Sequence, residues 1–162
     1  VGSEMCIRDR DNVMNIRKAT KEDLKKVLET RYTVIKEVCQ LSDEYCFNEE
    51  FRNSTRRYYE NADQTTVLAL DNKEVIGCAT ICYISLVPTF DHPTGKRAHI
   101  MNVYTDRCYR RRGIAYKMMM LLIEEAKERG VTEISLDATE EGRLLYAKLG
   151  FKPSTEGMVL EI

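Results

Sequence analysis

Several things are scarce or missing in this chain. It holds two histidines and three prolines. None of its cysteines has Cys-x-x-Cys spacing. With so few imidazoles and no paired thiols, a metal site has little support. No apolar run approaches the roughly 20 residues needed to cross a bilayer, and no signal-peptide pattern is present. Neither sign of charge dominates: the formal net charge is -1. There is thus no overall pull towards nucleic acid or an anionic membrane. Repeats, low-complexity stretches and linkers are also absent. These absences predict a cytoplasmic protein with no metal, no membrane partner and no nucleic-acid partner.

At 162 residues, with 43% hydrophobic and 31% charged residues, the chain suits one globular domain with a real core. Its first ten residues, VGSEMCIRDR, resemble the in-frame translation of a transposon-type sequencing adapter. The expectation is a non-native or disordered leader over 1–13, a native start at Met14 and one domain over 14–162. Resequencing the source locus tests it: native DNA encoding those ten residues refutes it. Without Cys6, the cysteines Cys39, Cys46, Cys78, Cys82 and Cys108 are odd in number. They read as reduced thiols, with Cys78 and Cys82 as small core residues.

Taken in order, Met14 to Lys18 reads as a short strand. Thr20 with Asp23 starts a helix, whose apolar stripe is Leu24, Val27, Leu28, Ile35 and Val38. Arg31 interrupts that stripe and reads as a snorkelling side chain or, less readily, one aimed into a polar pocket. Phe51 to Ala62 is a second helix. The acids Glu37, Asp43, Glu44, Glu49 and Glu50 on and around these helices read as a solvated face, with attraction of a cationic amine as the sharper alternative. Thr65 to Leu70 and Val75 to Leu86 form a hairpin around Asp71-Asn72-Lys73. A loop over 87–96 then reads as a possible border of a binding site. Strand 97–105, a helix from Gly113 to Arg129 and strand 131–137 make a right-handed parallel crossover. The run Met118 to Met120 reads as packing. A short helix over 141–149 is followed by two closing strands within 151–162.

The chemistry concentrates between Asn102 and Met119. Arg110-x-x-Gly113-x-Ala115 falls where a strand gives way to a helix. Small residues leave backbone N–H groups uncovered there, and the helix dipole favours an anion. The pattern reads as a phosphate or pyrophosphate cradle at the carboxyl end of a strand, where open α/β sheets bind ligands.

That element order and two motifs, Ile100 to Ala115 and Gly142 to Phe151, resemble the GNAT superfamily of acyl-CoA-dependent N-acetyltransferases. A nicotinamide-binding Rossmann site fits worse, because no Gly-x-Gly-x-x-Gly turn follows the first strand. The resemblance implies a mixed α+β fold of α/β type. Its central sheet would be mixed and mostly antiparallel, with about seven strands and four helices around the parallel crossover. It implies acetyl-CoA as co-substrate, no metal, and a small-molecule or peptide amine as acceptor. A homodimer is also expected.

The resemblance carries over to particular residues. Backbone N–H groups of Arg111, Arg112, Gly113, Ile114 and Ala115 would hold the CoA pyrophosphate, with Arg110 adding positive charge beside them. Val103, Tyr104 and Thr105 would line pantetheine where a bulge splays two strands. An N–H near Val103 would face the acetyl carbonyl, the oxyanion position. Tyr146 would protonate the departing thiolate. Thr139 stands where an asparagine is common and Gly142 where an alanine is. His99 falls at the position of a strand glutamate that serves some members as base, and a histidine suits that work. Water, Tyr104 and Glu140 are other candidates for taking the amine proton. Two readings from other classes compete: a catalytically weak acyl-CoA-binding or regulatory module, and an RNA-binding surface at Arg110 to Arg112.

Overall fold

The computed structural model describes residues 14–154 and 157–162. The expected leader over 1–13 lies outside them, as do two residues of the expected closing turn.

Five strands form one sheet in the order β1-β2-β3-β4-β5. They are β1 (Met14–Lys18), β2 (Gln64–Asp71), β3 (Glu74–Ser85), β4 (Lys96–Thr105) and β5 (Glu133–Leu136). The first four pair antiparallel, and β4 pairs parallel with β5. The helices are α1 (Leu24–Val38), α2 (Glu49–Asn61), α3 (Ile114–Glu128) and α4 (Arg143–Lys148). The fold class and the four helices agree with expectation; the seven strands do not. Phe151 to Ser154 and Gly157 to Ile162 carry no strand. The alternating apolar residues Met158, Leu160 and Ile162 suit a strand, but pairing needs a partner edge that local sequence cannot supply.

Strand alternation sends two apolar sets to opposite faces. On one face Val67, Ala79, Ile81, Ala98 and Ile100 pack against Ile114, Met118, Met119, Leu122 and Ala126 of α3. The methionine run is therefore core. Truncating Leu122 to alanine there would cost about 2–5 kcal/mol. On the other face Leu68, Leu70 and Cys78 meet Val27 and Val34 of α1, with Tyr59 of α2 beside them. Burial pushes the Cys78 thiol up to about 12, against the pull of Arg31.

The entry to α1 is fixed by charge. Arg17 grips Asp23 through two hydrogen bonds of 2.6 and 3.0 Å, and the Thr20 N–H donates to the same carboxylate at 2.9 Å. The Arg17 bonds hold the Asp23 carboxyl well below the usual carboxylate range. Cys39, Cys46, Cys78 and Cys82 are free thiols. Among the described residues no helix is long and apolar enough to cross a membrane, and no group of three metal-ligating side chains occurs.

Candidate functional site

Two irregularities in β4 build the site. The register with β3 steps from Thr80↔Met101 to Cys78↔Tyr104, so Asn102 and Val103 together oppose Ala79. This is a β-bulge, and Asn102 takes the left-handed conformation, φ 57°. It is held there from both sides. Its carbonyl accepts from the Cys78 thiol at 3.2 Å, and its side-chain oxygen accepts from Arg31 Nη1 at 3.2 Å. Arg31 thus takes the polar-pocket reading over the snorkelling one. The second irregularity is that β4 pairs with β5 only from Arg97 to Ile100. Among the described residues Met101 to Thr105 run on without a strand on that side, so the two strands part at the bulge.

Beyond β4 the chain makes a short 3-10 turn, Arg107–Tyr109. Asp106 caps it, accepting from the Cys108 N–H at 2.9 Å. Side chains pin the turn to the body of the fold. The Tyr109 hydroxyl donates to the buried Asp71 carboxylate. Arg110 donates to the Thr105 carbonyl at 2.9 Å and to Glu37 at 2.5 Å, and Arg107 reaches Glu37 at 3.3 Å. These two arginines lower the Glu37 carboxyl against the opposing effect of burial. Glu37 is therefore an anchor, not a solvated acid waiting for a cation.

The expected cradle follows this pinned turn. Gly113 is the N-cap of α3 at φ 74°, and Arg111 before it has φ 62°. A Cβ built on Gly113 would meet nothing within 4 Å, so the conformation and not crowding asks for glycine. The N–H groups of residues 111–115 have no acceptor among the described residues. Five open donors at the start of a 15-residue helix fit a pyrophosphate. Of the three arginines, Arg110 is tied to Glu37. Arg112 donates to the Cys108 carbonyl at 3.1 Å and lies over the Tyr109 ring. Arg111 has no hydrogen bond or ion pair among the described residues. Inside the cleft, the Thr105 hydroxyl oxygen is buried without a hydrogen-bond partner.

Tyr146 on α4 packs on the α3 side of the sheet, edge-on to Phe151. A Cβ on Gly142 would stand 2.7 Å from its ring. Glycine in place of the family's alanine therefore lets the tyrosine lie close. Burial raises the Tyr146 pKa, so its phenol keeps its proton at neutral pH. His99 sits on the other face, since it alternates with Ala98 and Ile100. Its Nδ1 lies 2.8 Å from Ser135 Oγ and its Nε2 3.7 Å from Asp137. Tyr146 and His99 thus flank β4 from opposite sides.

The other candidates fall away from this pair. Burial, with Glu37 nearby, pushes the Tyr104 phenol up to about 12, which disqualifies it as a base near neutrality. Glu140 is exposed and pairs with Arg143 at 3.2 Å. Thr139 caps the short turn before α4 and is exposed. The 87–96 loop lies at the start of β4, roughly 20 Å along the strand from the bulge. Its hydrogen bonds go to Arg129, Gly130 and Thr132.

The model of the acetyltransferase (GNAT) family matches residues 35–151. The chain belongs to that family. It is therefore an acyltransferase of GNAT fold. A predicted acetyltransferase from Clostridium acetobutylicum, solved with acetyl-CoA, is 31% identical with a TM-score of 0.81; the match covers 92% of this chain and 96% of that one. Two similar proteins are named for a substrate. One is called probable glucosamine 6-phosphate N-acetyltransferase 2, from Oryza sativa subsp. japonica, and is 42% identical over 57 residues, 35% of this chain and 34% of that one. The other is glucosamine 6-phosphate N-acetyltransferase from Trypanosoma brucei brucei, 28% identical over 88 residues, 54% of this chain and 58% of that one. The matches thus span about a third and somewhat over half of those relatives.

Three features escaped the sequence reading. Glu37 as partner of Arg110 joins positions 73 residues apart. The Tyr109–Asp71 bond and the Arg31–Asn102 bond span 38 and 71 residues. Only the break in the apolar stripe of α1 hinted at the last.

Proposed function

We propose that the protein transfers the acetyl group of acetyl-CoA to a primary amine by direct attack in a ternary complex. The observation that carries this reading is the split between β4 and β5 at the bulge, with open N–H donors at the start of α3 beyond it. Acetyl-CoA supplies an activated thioester. The N–H groups of residues 111–115 hold its pyrophosphate, and the backbone of Val103 to Thr105 lines pantetheine. The Val103 N–H faces the acetyl oxygen and stabilises the charge that grows there; such a donor is worth roughly 3 kcal/mol.

The neutral amine forms a C–N bond with the acetyl carbon, and its surplus proton passes to His99 or through water to it. The C–S bond breaks, and Tyr146 gives its proton to the thiolate. The opposite placement of the two side chains supports this division: the base meets the acceptor on the α1 face, and the acid meets the leaving group on the α3 face. A glucosamine 6-phosphate-like amino sugar is the acceptor to try first, because two similar proteins are named for it. A thiol-release assay across an amine panel tests the reading; acetyl-CoA binding without turnover on any amine would favour the regulatory-module alternative.

We also infer a homodimer. Among the described residues β5 pairs only with β4, and Met158, Val159 and Leu160 are exposed. A second copy covering both suits these two observations. Light scattering of the full chain would report a dimer; a monomer at micromolar concentration would contradict it.

A further inference from the structure

Arg31 is the one arginine among the described residues that is neither exposed nor paired with a carboxylate. Arg17, Arg97, Arg107, Arg110, Arg129 and Arg143 each lie against an acid. Arg31 is half-buried in the apolar stripe of α1, between Val27, Leu28 and Val34. Its one hydrogen bond goes to the amide oxygen of Asn102. A guanidinium has five donors, so most remain available. Burying such a charge without an anion is costly, and a fold that keeps it there has room for the anion to arrive with a ligand.

Its position says which ligand. Asn102 is half of the bulge, and its neighbour Val103 carries the N–H assigned to the acetyl oxygen. The guanidinium therefore lies on the α1 face beside the bulge, 3.2 Å from the Asn102 side chain and on the same side of the sheet as His99. Of the acids on α1, Glu29 is exposed and lies against Lys25 at 3.8 Å, and Glu37 is already taken by Arg107 and Arg110. Asp43, Glu44, Glu49 and Glu50 are exposed. The acceptor face thus presents a positive charge at the reaction centre.

We propose that the acceptor amine carries an anionic group, a phosphate or a carboxylate, and that Arg31 holds it. This rests on the acetyl-transfer reading and narrows its acceptor. Arginine's planar fork matches both groups bidentately, which fixes the amine at a set distance from the anion. Neutral amines of the same size lose that anchor and leave the guanidinium desolvated.

Initial rates by thiol release test this on the full chain, with acetyl-CoA saturating and three matched sets of amines. Glucosamine is set against glucosamine 6-phosphate, ethanolamine against phosphoethanolamine, and propylamine against β-alanine. The first two sets read the phosphate and the third the carboxylate. The anionic member should be favoured in kcat/KM by roughly tenfold or more in at least one set. Arg31→Met should remove that preference, lowering kcat/KM for the anionic member of a set at least roughly tenfold more than for its neutral partner. Arg31→Lys should restore part of it. Equal loss on neutral and anionic amines would make Arg31 a peg for Asn102 and overturn the proposal, as would the absence of any anionic preference in the parent. No turnover with any amine would overturn the acetyl-transfer reading itself, and this inference with it.

Discussion

The two halves of the cleft are made of different material. At the start of α3 the groups proposed to recognise the ligand are backbone N–H donors, and Tyr109, Arg110 and Arg112 beside them are occupied in holding the turn still. On the α1 face the groups proposed to recognise the acceptor are side chains, Arg31 and His99, set on a helix and a strand that are fixed by their own packing. A backbone cradle depends on conformation, so it tolerates changes of charge and resists changes of shape. A side-chain pocket does the reverse. Shared chemistry on the donor side suits the first design, and a variable acceptor suits the second.

The comparison can be broken at several points. Tyr146→Phe should have the largest effect. It removes a proton donor and no binding group, so kcat should fall roughly 100-fold or more, with the acetyl-CoA dissociation constant unchanged. Single-turnover kinetics beside calorimetry would separate the two; a matching loss of affinity would place Tyr146 in the cradle instead. Next, His99→Gln should lower kcat/KM for the acceptor by roughly tenfold or more, with the acetyl-CoA dissociation constant unchanged. If kcat/KM is unchanged, water alone passes the proton and the α1 face only binds.

The smallest effect concerns the scaffold. Asp23→Asn should cost roughly 1–2 kcal/mol of stability at pH 7 by breaking the Arg17 fork, with little change at either site. The Asp23 carboxyl is depressed in the folded chain. Its contribution is therefore full above the unfolded value near pH 4 and fades as pH falls below it. Urea melts of parent and variant should converge in strong acid; a gap that widens there would contradict the assignment.

How far the sequence could be read follows the same divide. Local patterns placed β1 over Met14–Lys18, the hairpin of β2 and β3, and the buried face of α3. The cradle was legible because Arg110-x-x-Gly113-x-Ala115 is contiguous and its chemistry belongs to the backbone. The acceptor face was not, because it is assembled from α1 and β4, 71 residues apart at the Arg31–Asn102 bond. Glu37 looked like a surface acid for the same reason: its partners lie 70 and 73 residues away. The surplus strands came from Phe151 to Ile162, where apolar alternation was present and a partner edge was not.

The most direct test of the backbone cradle is calorimetry of acetyl-CoA on Arg111→Ala beside Gly113→Val, with Gly113→Ala and thermal melts as controls for folding. The account predicts that Arg111→Ala weakens binding by less than about fivefold, a surface charge being worth about a kilocalorie at most. It predicts that Gly113→Val weakens binding by more than about tenfold, since valine resists a positive φ. Arg111→Ala proving the more damaging of the two would contradict it.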